Sequence, residues 1–136
     1  MTKFTLLTAF GALMLATPVL AADPAVGESE FKKCKACHAI VATYGTEVVK
    51  GGKTGPNLGG IIGRPVAGVA DFKYGESIIA VGAAGVVWDE ALLAAYMTDP
   101  AAWLKEKTGD AAAKSKMSFK LAKGGEDMAA YLATIK

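Results

Sequence analysis

The sequence has few residues that bind metals or form disulfides. Its 136 residues include one histidine and two cysteines. A structural zinc site usually takes about four cysteine or histidine ligands, so this chain could build one only with carboxylates or a second copy. It also lacks an apolar run of the roughly 20 residues that span a membrane. The run from Phe4 to Leu20 has 17 residues and is interrupted by threonines, a glycine and a proline.

The first 21 residues have the pattern of a secretory signal peptide. Lys3 supplies a positive charge, residues 4–16 are mostly apolar, and Val19-Leu20-Ala21 fits a small-x-Ala cleavage site. We therefore expect residues 1–21 to be removed and residues 22–136 to form one domain in the periplasm.

Neither sign of charge is in excess. The chain has 15 Lys and Arg against 13 Asp and Glu, and loss of Lys3 with the leader leaves 14 against 13. A nearly neutral chain has no broad basic surface for nucleic acid. Nucleic-acid binding is therefore not expected. Stable membrane insertion is not expected either, because the one apolar run is short and interrupted, and the basic runs described below support a monomer.

The two cysteines and the histidine stand together as Cys34-Lys35-Ala36-Cys37-His38. The pattern C-x-x-C-H is typical of c-type haem attachment. In that chemistry the two thiols add to the vinyl groups of a haem, and the adjacent histidine binds the iron. The motif therefore predicts one covalent haem c.

Other interpretations of the motif stay open at this point. Zinc would need further ligands. A thioredoxin-like dithiol expects a strand before the helix that carries the cysteines, whereas the residues before Cys34 favour a helix. A plain disulfide closes poorly across a two-residue spacer and leaves His38 without a role.

Hydrophobic periodicity and capping residues predict an all-α domain with long loops and no confident strand. Asp23-Pro24 is typical of a helix start, and Gly124-Gly125 precedes another. The predicted helices run from Pro24 to about Lys35, from Tyr74 to about Val81, from Glu90 to about Thr98, from Pro100 to near Gly109, and from the residue after Gly124-Gly125 toward the C-terminus. Residues 39–53 and 114–123 are predicted loops.

A sixth iron ligand would decide between electron transfer and an open haem site. Because His38 is the only histidine, methionine is the remaining ordinary choice, and a His/Met pair raises the reduction potential. Met97 and Met128 lie on apolar faces of predicted helices, where core packing explains them. Met117 lies in the lysine-rich segment 114–120, where no amphipathic helix needs it, and is the predicted ligand.

With the Cys34–His38 motif, the Lys53-Thr-Gly-Pro-Asn-Leu58 loop and the late Met117, the chain resembles the class I cytochromes c, most of all the bacterial periplasmic cytochromes c2. The resemblance covers essentially all of residues 22–136. It implies a small single-domain cytochrome c fold wrapped round one covalent haem, with N- and C-terminal helices that cross. Gly27, Phe31 and Tyr131 look like the residues at that crossing.

The same resemblance implies roles for individual residues. His38 and Met117 would bind the iron, and the Pro56 carbonyl would accept a hydrogen bond from the His38 ring, a contact that orients the imidazole. Donors would be needed for the haem propionates, because buried carboxylates require partners. The resemblance implies Cys34 and Cys37 as covalent attachments, Arg64, Tyr74 and Trp88 as propionate donors, Tyr96 beside the methionine sulfur, and Phe119 at the haem edge.

Two stretches look like insertions relative to the mitochondrial pattern, one around residues 44–49 and one around residues 108–113. Both are typical of the longer cytochromes c2. The second stretch lies just before Met117, so it bears on how rigidly that methionine is held.

Lysines are concentrated beside the proposed ligands, in two runs that contain no acid. Such patches steer encounters with acidic partners, and the resulting complexes are weak and salt-sensitive. The lysines are Lys32, Lys33, Lys35, Lys114, Lys116, Lys120 and Lys123.

These features predict a soluble periplasmic one-electron carrier, not an enzyme. The resemblance implies that it takes electrons from a cytochrome bc complex and passes them to a photosynthetic reaction centre or a terminal oxidase. The alternative is an open-site haem protein with weak peroxidase or gas-binding activity, which requires that Met117 does not bind.

Overall fold

The computed structural model describes residues 20–136. The predicted leader, residues 1–21, lies almost entirely outside this range. Five α-helices and one small sheet make up the fold. The helices are α1 (Pro24–Glu30), α2 (Glu76–Ala83), α3 (Glu90–Thr98), α4 (Pro100–Thr108) and α5 (Gly125–Ala133), and the strands are β1 (Ile40–Val41) and β2 (Glu47–Val49).

The first helix is shorter than predicted. Its start is as expected, because the Asp23 side chain accepts a hydrogen bond from the Ala25 amide at 2.9 Å. The helix ends at Glu30, and Phe31–Lys33 form a 3₁₀ turn. The prediction of a helix to Lys35 is therefore wrong: the tighter 3₁₀ hydrogen bonds end the α-helix early, as they often do at a helix terminus.

The prediction of a loop without strands over residues 39–53 is also wrong. The strands β1 and β2 pair antiparallel, with Ile40 opposite Val49. Ile40 is fully buried and Val49 packs against the core. Strands of two and three residues are too short to show an alternating pattern in sequence, which is why this hairpin escaped prediction.

The remaining helices follow their capping residues. The side chains of Asp89 and Asp99 accept hydrogen bonds from the Leu92 and Ala102 amides, at 2.7 and 3.0 Å, and so start α3 and α4. Gly109 ends α4 with φ 68°, a left-handed conformation that glycine adopts without a steric penalty. Helix α2 begins two residues later than predicted.

Helices α1 and α5 cross at Gly27. A Cβ atom at this position would lie 2.1 Å from the Asp127 carbonyl oxygen and 2.8 Å from the Tyr131 Cβ. Beside it the rings of Phe31 and Tyr131 meet edge to face, with centroids 6.1 Å apart. The crossing needs a residue without a side chain because the two backbones touch there.

The core is formed by the inner faces of these helices together with the loops between them. Met128, Leu132 and Leu104 are its most completely buried large side chains outside the hairpin. None of the helices in residues 20–136 is long and apolar enough to cross a membrane.

Replacement of Gly27 by alanine is predicted to destabilise the protein by about 3 kcal/mol or more, since the new methyl group meets backbone that cannot yield without separating the helices. Urea unfolding of the haem-loaded protein measures the effect. Val26→Ala, on the exposed side of the same helix, is the control and should change the free energy of unfolding by about 0.5 kcal/mol or less. Equal losses in the two variants would contradict the close crossing.

Candidate functional site

One large cavity of about 550 Å³ opens inside the domain, a volume in the range of cofactor sites. Leucine and isoleucine side chains from several elements form much of its wall. These residues are Leu58, Ile61, Ile78, Leu93, Leu104 and Leu132. Such a wall excludes water and suits a large, mostly apolar ligand.

All ten residues predicted for the site lie around this one cavity. They come from separate parts of the chain: the turn after α1, the loops on either side of β2 and α2, helix α3 and the segment before α5. The ten are Cys34, Cys37, His38, Pro56, Arg64, Tyr74, Trp88, Tyr96, Met117 and Phe119. The fold thus brings together residues that are up to 85 positions apart in sequence.

The His38 ring is held on two sides. Its Nδ1 lies 2.8 Å from the Pro56 carbonyl oxygen, so that nitrogen carries the proton and Nε2 is left free to bind a metal. Gly55 lies against the ring, and a Cβ atom there would be 2.2 Å from the ring carbon Cε1. The imidazole therefore has one orientation and one tautomer.

Burial affects the protonation of His38. Removal from water lowers the pKa of the ring, and the hydrogen bond to the Pro56 carbonyl acts in the opposite direction. Because the pKa lies below its ordinary value, the ring is neutral at neutral pH, which is the form that binds a metal.

The loop that carries Pro56 is fastened by Asn57, a residue that sequence reasoning missed. Its side-chain oxygen accepts hydrogen bonds from the amides of Val41, at 2.7 Å, and Gly59, at 3.0 Å. Its side-chain nitrogen donates to the Val41 carbonyl at 2.8 Å. The Asn57 side chain therefore joins the loop to strand β1 by hydrogen bonds to both the amide and the carbonyl of Val41.

Arg64 holds the same loop from the other side. Its guanidinium donates to the Asn57 carbonyl, at 2.9 Å, and to the Gly59 carbonyl. This side chain was predicted as a propionate donor, and it does line the cavity. Two of its five N–H groups are engaged by these carbonyls, so the remaining donors are those available to a ligand.

Aromatic side chains occupy another part of the site. The rings of Trp88, Tyr96 and Trp103 lie with centroids 5.3 Å apart in all three pairings. Among the described residues, the buried Trp103 Nε1 has no hydrogen-bond partner, so packing rather than hydrogen bonding holds this ring. Trp103 was not predicted as part of the group.

The two tyrosines predicted for the site keep their protons. Burial raises the pKa of Tyr96 and of Tyr74 above the ordinary value. The Tyr74 hydroxyl accepts a hydrogen bond from the Val69 amide at 3.2 Å and still has its own proton to donate. Both tyrosines can therefore act as neutral donors toward a ligand in the cavity.

Met117 is half-buried at the cavity, in a segment without helix or strand. Met97 also lines the cavity, but it lies on α3 and is almost fully buried among core residues. The predicted core roles of Met97 and Met128 agree with their burial. Met117 is thus the methionine that packing of the helices does not explain.

Cys34 and Cys37 are unpaired thiols beside His38, the first half-buried and the second exposed. Burial raises the pKa of the Cys34 thiol, against the effect of the nearby Lys33 charge. Within residues 20–136 no three His, Cys, Asp or Glu side chains form a metal-binding group, and the only sheet is the small hairpin. These surroundings favour neither zinc nor a thioredoxin-like site.

The residues present fit a covalent haem. The cavity is large and apolar, two free thiols stand at its edge, and an imidazole is fixed with its metal-binding nitrogen free. A thioether sulfur and several neutral donors line the same space. This donor set matches a haem iron with one nitrogen and one sulfur ligand.

Comparison with known proteins shows close relatives along most of the chain. The chain is 58% identical to cytochrome c2 of Rhodobacter capsulatus over 124 residues, which cover 91% of this chain and 90% of that protein. It is 53% identical to cytochrome c-550 of Paracoccus versutus, over 96% and 88% of the two chains. No protein-family model matches it.

Solved structures agree with the sequence comparison. The Rhodobacter capsulatus cytochrome c2 structure superposes with a TM-score of 0.81, at 58% identity, over 83% of this chain and 97% of that one. Cytochrome c2 of Paracoccus denitrificans also gives a TM-score of 0.81, at 51% identity, over 83% and 95%.

Replacement of Asn57 by alanine is predicted to lower the free energy of unfolding by about 2–3 kcal/mol, because three hydrogen bonds to backbone are lost at a half-buried position. The His38 ring N–H should also exchange faster with solvent, as seen by NMR of the reduced protein. Thr134→Val, which removes one bond to the Tyr131 carbonyl near the C-terminus, is the control. If Asn57→Ala cost no more than the control, the loop would not depend on Asn57.

Proposed function

The chain belongs to the cytochrome c2 family of c-type cytochromes, and from this premise we propose that it carries single electrons in the periplasm, from a cytochrome bc complex to a photosynthetic reaction centre or a terminal oxidase. It is an electron-transfer protein with one covalent haem c, not an enzyme. The predicted family and fold class are confirmed. Removal of residues 1–21 as a signal peptide is part of the proposal.

The haem supplies one chemical capability, the exchange of a single electron between ferric and ferrous iron. The proposal assigns Cys34 and Cys37 to its two thioether bonds and His38 and Met117 to its iron. Around them, the proposal keeps Pro56, Arg64, Tyr74, Trp88, Tyr96 and Phe119 as residues that contact the haem or orient its ligand.

The observation that carries this proposal is the fixed His38 ring, with its Nδ1 at 2.8 Å from the Pro56 carbonyl. An electron carrier works best when its ligands move little between the two oxidation states. The Pro56 carbonyl, the Gly55 backbone and the Asn57 fastening all restrict this ring. Restriction of this kind also keeps the proton on Nδ1, so the imidazole stays a neutral ligand throughout.

The proposed second ligand of the iron is the Met117 sulfur. A thioether favours ferrous iron and so raises the reduction potential. The leucines and isoleucines of the cavity wall act in the same direction, since an environment that excludes water disfavours the extra charge of ferric iron. Tyr96 is protonated and near the Met117 segment, where its hydroxyl can donate to a sulfur atom.

Met117→Ala is predicted to remove the weak sulfur-to-iron charge-transfer band of the ferric protein and to let the iron bind added imidazole without competition. Absorption spectroscopy of protein matured in a periplasm measures both effects. Met97→Leu is the matched control, because Met97 lines the same cavity from a helix; it should keep the band. A wild-type protein without the band, unchanged by Met117→Ala, would favour the open-site alternative.

The second part of the proposal concerns the lysines near the cavity. The structure shows that some of them are paired with carboxylates. Lys32 and Lys33 pair with Glu30, and Lys120 pairs with Asp99 at 2.7 Å. The absence of acid within each sequence run therefore does not mean the lysines are unpaired. Exposed pairs of this kind contribute little to stability, but each partly cancels a positive charge.

Four lysines form a basic rim at the mouth of the cavity. Lys33, which pairs with Glu30, lines it together with Lys73, Lys114 and Lys116, and Lys73 was not among the predicted residues. Phe119, 43% exposed, lies at the same mouth. An exposed aromatic ring among ammonium groups suits a transient complex with an acidic redox partner, in which charge speeds the encounter.

Lys114→Glu is predicted to lower the bimolecular rate of reduction by a purified cytochrome bc complex about threefold to tenfold at low salt, and less as ionic strength rises. Lys105→Glu, an identical change of charge on α4 away from the cavity lining, should have a smaller effect. The rates follow from stopped-flow absorbance at several ionic strengths. Equal effects of the two variants would mean that net charge, not this rim, controls the encounter.

A further inference from the structure

The stretch before Met117 is folded rather than loose. It leaves α4 through the left-handed Gly109, and the Asp110 side chain then accepts a hydrogen bond from the Ala112 amide at 2.8 Å. The Ala113 amide donates to the Asp110 carbonyl at 3.1 Å, and Ala113 is only 4% exposed. The stretch around residues 108–113 is therefore a compact turn packed on the domain.

The end of this turn is attached to another helix. The Lys114 amide donates to the Ser77 hydroxyl oxygen at 3.0 Å. Ser77 is the second residue of α2. Helix α2 also packs against α4, the helix from which the turn departs. Helix α2, helix α4 and the turn thus contact one another, and Ser77 is the residue of α2 that bonds the end of the turn.

From Lys114 the chain reaches Met117 in three residues, through a local hydrogen-bonded turn. The Ser115 hydroxyl donates to the Met117 carbonyl, at 2.9 Å, and accepts from the Met117 amide, at 3.1 Å. Beyond Met117, the Leu121 amide donates to the Met97 carbonyl at 2.8 Å. The Met117 segment is therefore anchored to α2 before the methionine and to α3 after it.

We propose that Ser77 is a positioning residue for Met117. Its hydroxyl accepts a hydrogen bond from the Lys114 amide. This bond keeps the Met117 segment against the cavity. This inference rests on the proposed ligation of iron by Met117. A segment without helix or strand opens at a cost set by its few anchors, so loss of one anchor increases the fraction of molecules in which the methionine has left the iron.

Ser77→Ala tests this directly. Because added imidazole can bind the ferric iron only when Met117 is away, its apparent affinity reports the open fraction. A hydrogen bond of ordinary net strength corresponds to about a twofold to tenfold change in that fraction. Ser77→Ala should therefore bind imidazole about twofold to tenfold more tightly than the wild type, and Ser77→Thr, which keeps the hydroxyl, should restore the wild-type value.

The matched control is Ser29→Ala. Ser29 donates to the Val26 carbonyl on α1 at 2.9 Å, so this variant also loses one serine hydrogen bond to a helix, but away from Met117. Its imidazole affinity should equal that of the wild type. Equal affinities in Ser77→Ala and Ser29→Ala, or an equal increase in Ser77→Thr, would overturn the role of Ser77.

Amide hydrogen exchange of the wild-type protein provides a second test that needs no variant. The Lys114 amide should be protected at least tenfold relative to an unstructured peptide, since it is bonded to Ser77. Exchange at the unstructured rate would also overturn the inference. The proposed ligation fails separately, by absence of the sulfur-to-iron charge-transfer band in the wild type.

Discussion

The hydrogen bond between the His38 ring and the Pro56 carbonyl is the contact on which the site depends. It requires that the chain after β2 passes within contact distance of the imidazole, which leaves no room for a side chain at Gly55. The loop cannot hold this path by itself, because it has no helix or strand of its own. Asn57 and Arg64 hold it, one through β1 and one through the carbonyls of the loop. The small hairpin is thus part of the support for the His38 ring, the proposed iron ligand.

A second constraint is the size of the cavity relative to the chain. A domain of about 115 residues buries a modest core, and here much of the wall of that core faces a space of about 550 Å³. We propose that the covalent haem fills this space and takes the place of apolar packing there. Elsewhere, α1 and α5 pack closely at their crossing, where Gly27 lets the backbones touch. The crossing and the haem together would hold so short a chain as one stable unit.

The parts predicted from sequence are those with a short-range chemical signature. The Cys34–His38 motif identified the cofactor, aspartates and prolines located the starts of α1, α3 and α4, and Gly124-Gly125 located the start of the last helix. Met117 is proposed as a ligand on a similarly local ground, because no helix explains it. In each case the signal lies within a few residues of the feature it predicts.

Several of the parts that were missed depend on contacts between distant segments. The Lys120–Asp99 pair joins residues 21 positions apart, and Ser77 and Lys114 are 37 apart. Asn57 was noted only as part of a turn-rich loop, since its two bonds to Val41 appear only once β1 lies beside it.

Two other features are local and were missed for different reasons. The early end of α1 escaped prediction because a 3₁₀ turn and an α-helix have the same sequence preferences over three residues. Glu30 borders the first lysine run and pairs with Lys32 and Lys33, so the absence of acid within that run did not show the pairing.

We propose that His38 and Met117 both bind the iron and remain bound when it changes oxidation state. The first experiment is iron-edge X-ray absorption of the matured protein in the ferric and the ferrous state. We expect one sulfur and one histidine nitrogen among the iron neighbours in both states, with iron–ligand distances that change little between them. A shell without sulfur in either state, or a sulfur lost on oxidation, would rule out ligation by both residues.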